Sequence, residues 1–258
     1  MVECIILAGG QGTRLRAIVS DLPKPMADIA GRPFLWWLMT RLNRQDVGRV
    51  IFSLGYRSES IQNYFGTRFE GIQISYAIEK KPLGTGGAMK YALEQASESQ
   101  VLVLNGDTYA DVNLRALLRS LDSESTHLAL AVAYQCNSAR YGFVAIDERT
   151  GIITGFREKE GHGAGYINAG VYCVRRDIFK NSTPAKFSFE HDFLPRHLRV
   201  IRPLAVKGAR GFIDIGVPED YARAQSLIPK LVKKLPKKQS FSAKMEQNCP
   251  VARLDSAA

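Results

Sequence analysis

Gly9, Gly10 and Gly12 crowd into four residues directly after the apolar run Cys4 to Ala8, and Arg14 and Lys24 follow close behind. Residues of these types at this spacing suit one kind of chemistry, the binding of phosphate oxygens. Glycines let backbone N–H groups approach an anion without Cβ interference, and the two cations add fixed positive charge beside them. A β-branched run that breaks into glycine has the pattern of a buried strand delivering a loop at its carboxyl end, the edge where open α/β sheets bind ligands. The stretch Leu7, Ala8, Gly9, Gly10, Gly12, Thr13 and Arg14 therefore reads as a triphosphate site, with a ligand-free tight turn as the plainer alternative. It is not a dinucleotide fingerprint, because Leu15 stands where the third glycine would, and it is not a Walker loop.

Two further groups have chemistry to offer. Pro82-Leu83-Gly84-Thr85-Gly86-Gly87-Ala88 is a second glycine turn that opens a helix, where a nucleobase could lie against bare backbone or the glycines could merely loosen a helix start. Asn105-Gly106-Asp107 closes the four consecutive aliphatics Val101 to Leu104. Asp107 at such a strand end can hold Mg²⁺ beside phosphates, or it can sit in a polar turn before a helix capped by Asp111. Asp214, in Phe212-Ile213-Asp214-Ile215-Gly216, ends another strand and is the second candidate metal carboxylate. None of the four histidines has a partner at ligand spacing.

The elements that must position these residues alternate in a βαβ manner. Pro33 to Asn43 carries Phe34, Leu35, Leu38, Met39 and Leu42 on one helical face, with the proline near its start. Val50 to Leu54 reads as a strand, Glu59 to Phe65 as a short helix, Ile72 to Ile78 as an alternating strand and Gly84 to Ala96 as a helix. Val101 to Leu104 has the pattern of a strand buried on both faces, the centre of a parallel sheet. Leu128 to Tyr134, Phe143 to Ile146, Ile152 to Phe156 and Ile167 to Val174 follow with little helix between them, which predicts added antiparallel strands and a small ribbon. Phe189 to Leu198 reads as a packing helix, and Pro218 starts another that runs through Leu227.

Composition sets the outer bounds. A chain of 258 residues, 45% hydrophobic, can bury one sizeable core. The net charge of +10 raises the question of nucleic acid, but from Pro229 to Ala258 seven basic residues stand against two acidic ones. Half of the net charge thus lies in the last thirty residues, and the rest of the chain is only mildly basic, a balance that could equally serve anionic small substrates. Residues 1–228 are expected to form one domain and 229–258 a basic, mobile tail. Cys4, Cys136, Cys173 and Cys249 have neither metal-ligand nor disulfide-framework spacing. With no apolar run near the ~18 residues that span a bilayer and no leader, the expectation is a cytoplasmic protein that inserts in no membrane.

The string Gly9-Gly10-x-Gly12-Thr13-Arg14-Leu15 with Pro23-Lys24-Pro25 resembles the signature of the sugar-1-phosphate nucleotidylyltransferases, and the similarity extends over roughly residues 2–227. The resemblance implies a Rossmann-like three-layer α/β/α fold around a mixed, mostly parallel sheet. It implies an enzyme that joins a nucleoside triphosphate to a sugar 1-phosphate, with Mg²⁺ as cofactor and pyrophosphate as by-product. Arg14 would hold the leaving pyrophosphate, Asp107 and Asp214 the metal, and Lys24 and Lys159 the attacking phosphate. Tyr141-Gly142-Phe143, Glu158-Lys159 and Asn168-Ala169-Gly170 recur in the family around the sugar phosphate, which makes Gly142, Glu158 and Asn168 candidates for the sugar. Taken alone, Arg157 to Glu160 is a solvated charge run. Arg16 to Asp21, leading into Leu22-Pro-Lys-Pro-Met-Ala27, is most similar to the D-glycero-α-D-manno-heptose 1-phosphate guanylyltransferases of bacterial capsule and surface polysaccharide synthesis. A hexose-1-phosphate enzyme and a non-catalytic subunit of the same fold are the alternatives, and the oligomeric state stays open.

Glu79 carries the choice of base. Relatives can place the residue here against the Watson–Crick edge, where guanine offers two donors, N1–H and the N2 amino group. A carboxylate accepts from both and is repelled by the carbonyls of uracil or thymine, so this residue favours GTP. The plainer reading pairs Glu79 with Lys80 or Lys81 at the surface. Together with Pro82, Gly84, Thr85, Asn105 and Asp107, Glu79 completes the expected nucleotide-binding set.

Overall fold

Alternation along the first strand determines the layering. In the computed structural model, which describes residues 1–10, 22–122, 126–136, 141–157, 163–180 and 184–235, Cys4 and Ile6 point into one core and Ile5 into a second on the opposite face of the sheet. Leu102 and Leu104 divide from Val101 and Val103 in the same way. Because both faces are buried here, Cys4 to Ile6 and Val101 to Leu104 are apolar runs without alternation.

The elements run β1 (Val2–Leu7), β2 (Asp28–Ile29), β3 (Arg32–Pro33), α1 (Phe34–Arg44), β4 (Val47–Leu54), α2 (Ser58–Phe65), β5 (Arg68–Phe69), β6 (Ile72–Ile78) and α3 (Gly84–Leu93). They continue with β7 (Gln100–Asn105), β8 (Thr108–Asp111), α4 (Leu114–Arg119), β9 (Leu128–Gln135), β10 (Phe143–Ile146), β11 (Ile153–Arg157) and β12 (Gly165–Arg175). A π-helical turn, Phe189–Phe193, leads into α5 (Leu194–Ile201), β13 (Leu204–Asp214) and α6 (Pro218–Lys234). The main sheet has the order β5-β6-β4-β1-β7-β12-β9-β13-β8, with β10 and β11 as an antiparallel ribbon beside it. β6, β4, β1 and β7 are mutually parallel, whereas β12 runs antiparallel to β7 and β9. α1, α2, α4 and α6 cover one face; α3 and α5 cover the other. This is the expected three-layer α/β/α arrangement with a mixed, mostly parallel sheet and a small ribbon.

The chain order reverses between β1 and β7, so a crevice opens at their carboxyl ends, the place where such sheets bind ligands. Both glycine-rich segments and both candidate carboxylates come to this edge.

Three local expectations change. Asp111 belongs to β8 and does not cap α4; Asn113 does, its side chain accepting from the Ala116 N–H at 3.1 Å. The helix expected over 189–198 begins as a π turn, since Pro195 lacks the N–H that would continue an α-helical ladder through it. The helix expected to run from Pro218 through Leu227 is longer, because α6 continues through Pro229 to Lys234. Its second half buries Ile228 and Val232, and Arg44 donates to the Val232 carbonyl. Residues 236–258 lie outside the described part. Val217 precedes α6 without a side-chain cap, as a valine there must. Among the described residues no helix is long and apolar enough to cross a membrane.

Candidate functional site

A cleft of about 690 Å³ lies over the carboxyl ends of β1, β4 and β7. Leu7, Ala8, Gly9 and Gly10 form one wall, and Glu79, Pro82, Gly84 and Thr85 form another. Asn105, Asp107 and Lys24 close the third side. Eleven of the sequence-predicted residues thus line a single cavity. Backbone hydrogen bonds fix its floor: Ala8 N donates to Ser53 O at 2.8 Å and Gly106 N to Leu7 O at 2.9 Å.

Lys24 occupies the electrostatic centre. It comes from a single 3₁₀ turn, Lys24–Met26, that prolines flank and partly make up, and its Nζ lies 2.7 Å from Asp107 Oδ2 and 3.0 Å from Asp214 Oδ1. The two carboxylates reach it from adjacent strands, for Thr108 of β8 pairs with Asp214 of β13, and Ile215 N donates to Asp107 O at 3.1 Å. β8 is itself anchored from below. The fully buried Arg41 of α1 donates to Val112 O at 2.9 Å, while the Gln45 side chain donates to the same carbonyl and accepts from Leu114 N.

The carboxylate pair meets a simple test as a metal site. Both groups are hard oxygen donors that converge on one cationic centre, and Mg²⁺ typically takes one or two carboxylates and completes its shell with phosphates and water. Among the described residues no third His, Cys, Asp or Glu joins them, so the residues fit an ion whose other ligands come with the nucleotide.

Glu79 follows β6 and is held by the Leu83 N–H, which donates to Oε2 at 3.1 Å, not by Lys80 or Lys81. Burial pushes its carboxyl above the ordinary value, and the Leu83 bond partly offsets that. Oε1 lies over Gly55 so closely that a Cβ on that residue would stand 2.7 Å from it. The glycine at the end of β4 thus makes room for the carboxylate.

The second glycine turn has a different reason for its composition. A Cβ on Gly84 would lie 2.5 Å from the Phe187 carbonyl oxygen, and one on Gly86 2.2 Å from the Phe187 ring. Gly86 N and Gly87 N both donate to Phe187 O, and Phe187 N donates to Leu83 O. The turn is therefore glycine-rich because the segment before the π turn packs against it, while Gly84 and Thr85 still face the cleft.

On the acceptor side, Asn168 sits in β12, and β10 begins opposite Ile167, which puts Gly142 at the same end. Neither residue lines the cleft. Gly12, Thr13, Arg14, Glu158 and Lys159 lie outside the described residues. The sequence reading missed Gly55, Tyr56, Lys80, Lys81 and Gly216 of the lining. The first two follow a predicted strand and were findable from the rule that sites gather at strand carboxyl ends; Gly216 follows Asp214 directly.

A parallel sheet with a chain reversal, a glycine loop at the reversal and a lysine-bridged carboxylate pair beside it define a nucleotide-handling α/β transferase. The chain belongs to the nucleotidyl transferase family, whose profile matches residues 3–230. It is 44% identical over 225 residues to the D-glycero-α-D-manno-heptose 1-phosphate guanylyltransferase of Aneurinibacillus thermoaerophilus, covering 87% of this chain and 97% of that one. The Campylobacter jejuni protein of the same name is 42% identical, with 85% and 97% covered. Among solved structures, HddC from Yersinia pseudotuberculosis complexed with GMP-PN superposes with a TM-score of 0.78 at 38% identity, over 87% of this chain and 98% of the other.

Proposed function

We propose that this protein transfers GMP from GTP to a sugar 1-phosphate, D-glycero-α-D-manno-heptose 1-phosphate, and releases pyrophosphate, in the cytoplasm and toward bacterial capsule or surface polysaccharide. The observation that carries the reading is that Lys24 and Asp107 line a cleft whose other walls include Gly9, Gly10 and Glu79, while Asp214, behind the lining, pairs with the same Lys24. The likeness to the two heptose 1-phosphate guanylyltransferases supports the choice of sugar and base.

The reaction brings two polyanions together. An acceptor phosphate oxygen forms a bond to the α-phosphorus of GTP, the bond from that phosphorus to the α–β bridging oxygen breaks, and pyrophosphate leaves. The acceptor is already ionised, so no general base is needed and catalysis is alignment with charge neutralisation. The Gly9 and Gly10 backbone and Arg14 bind the triphosphate. Lys24 and Lys159 draw in the attacking phosphate, with Gly142, Glu158 and Asn168 on the sugar. Glu79 accepts from the guanine edge. Mg²⁺, held by Asp107 and Asp214, would supply charge neutralisation at the phosphates when bound.

A pyrophosphate-release screen that crosses GTP, ATP, UTP, CTP and dTTP with heptose, mannose and glucose 1-phosphates tests the reading. Turnover concentrated on GTP and the heptose phosphate is expected; a preference for UTP or dTTP, or no release with any pair, overturns it.

A further inference from the structure

Glu190 was read from the sequence as part of a packing helix, yet both of its carboxylate oxygens are taken by groups of the two substrate regions. Oε2 accepts from Thr85 Oγ1 at 2.6 Å, at the cleft end of α3, and Oε1 accepts from the Tyr172 hydroxyl on β12 at 3.0 Å. The same Thr85 oxygen accepts from Phe189 N at 2.9 Å. Tyr172 oxygen in turn accepts from Asn168 Nδ2 at 2.8 Å, and Asn168 Oδ1 accepts from Gly170 N at 2.8 Å. β12 loses its regular pairing with β9 between Asn168 and Tyr172, an irregularity of the kind that re-aims side chains beside active sites. The carboxylate sits on a π-helical turn, also a recurrent feature of functional sites.

We infer that Glu190 is a positioning residue that couples the nucleotide-facing turn to the acceptor strand by fixing the polarity of the chain Thr85–Glu190–Tyr172–Asn168. A carboxylate accepts and does not donate, so the Thr85 and Tyr172 protons must both point at Glu190. Tyr172 is fully buried, and burial together with Glu190 keeps its phenol protonated. With that proton committed, the phenol oxygen accepts from Asn168 Nδ2 and from the Asn105 side chain, and so holds the Asn168 amide in the same sense that the Gly170 N–H requires. The inference rests on the proposed role of Asn168 toward the sugar hydroxyls.

Glu190→Gln tests it with nearly unchanged shape. A glutamine amide presents a donor to one of the two hydroxyls, and if Tyr172 reverses, its proton meets the Asn168 amide hydrogens. The expected result is a KM for sugar 1-phosphate raised roughly tenfold, the worth of one neutral hydrogen bond, with the KM for GTP and kcat within about threefold of wild type. Tyr172→Phe should show the same split, and the double variant should be no worse than either single one. An acceptor KM that does not move in Glu190→Gln, or a GTP KM that rises as far, overturns the coupling. The side-chain amide resonance of Asn168, identified by its loss in Asn168→Asp, gives a readout independent of turnover. It is expected to shift in Glu190→Gln without any substrate; an unchanged resonance overturns the inference even in an active enzyme. A wild-type protein that uses no sugar 1-phosphate would instead overturn the proposed function, leaving the network itself to be judged by that resonance.

Discussion

The parallel half of the sheet, β6-β4-β1-β7, and the mixed half, β12-β9-β13-β8, build their shares of the cleft by different means. In the parallel half the residues that line the cleft come in short runs at strand ends and before a helix: Leu7 to Gly10 at the end of β1, Gly55 after β4, and Pro82, Gly84 and Thr85 around the start of α3. The side chains that tie this half to the mixed half are assembled from afar. Lys24 meets Asp107 across 83 residues and Asp214 across 190, and Thr85 meets Glu190 across 105. A strand end with glycines is a local construction, which composition alone can announce. A charge cluster spread over the chain exists only once the sheet has closed.

That difference ranks the variants by expected effect. Asp107→Asn and Asp214→Asn come first. Each removes a full charge from the convergence point while keeping shape, and each should abolish Mg²⁺-dependent pyrophosphate release in a folded protein. Wild-type turnover in either would remove that position from the pair and leave the mixed half without its central feature.

Lys24→Met comes next. A unit charge ~4 Å from a phosphate is worth on the order of 4 kcal/mol at an effective dielectric of about 20, an upper bound of roughly three decades in kcat/KM. Near-normal kinetics would show that Lys24 only neutralises the two carboxylates.

The Glu79 wall, proposed to read the base, sharpens the contrast, since there a side chain lines the parallel half. Glu79→Gln removes the carboxylate, and Gly55→Ala sets a Cβ 2.7 Å from the present position of its oxygen. Both should cut the GTP-over-UTP ratio of kcat/KM by roughly 10- to 100-fold, the worth of a charge-assisted hydrogen bond. An unchanged ratio in both places base recognition elsewhere.

The smallest effect is in pH. Burial raises the Glu79 carboxyl above 4.5, and only the ionised form accepts from both guanine donors. The GTP-over-UTP ratio should therefore fall on acidification at a pH above that of an ordinary carboxyl, and Glu79→Gln should flatten the profile. A wild-type ratio that holds steady down to pH 4.5 would contradict this.

The same contrast explains what the sequence made legible. Ile72–Ile78 forms with the limits its alternation indicates, Phe143–Ile146 forms as the short strand expected, and the buried run at β7 lies at the centre of the sheet. Leu204 to Gly211 gave no strand signal because Lys207, Gly208, Arg210 and Gly211 interrupt it. It becomes β13 through pairing with β9 and β8, a tertiary choice. β8 was hidden behind the expectation of a cap at Asp111. Within the site, eleven of the motif residues line the cleft while Gly142, Asn168 and Asp214 do not, and Glu190 sits in a phenylalanine-rich stretch, Phe187 to Phe193, whose helical spacing speaks only of packing. The second glycine turn was legible as a turn, but its dependence on Phe187 was not, since the two are about a hundred residues apart.

The central claim is that the acceptor phosphate attacks the nucleotide directly within this cleft, with charge neutralisation and no covalent enzyme intermediate. The stereochemical course at the α-phosphorus tests it most directly, using a single diastereomer of GTP with sulfur on that phosphorus and heptose 1-phosphate as acceptor. Inversion of configuration in the nucleotide sugar is the expected result, as one in-line displacement requires. Retention would mean two displacements through an enzyme-bound nucleotide, and would contradict the assignment of Lys24, Asp107 and Asp214 as residues that only align and neutralise.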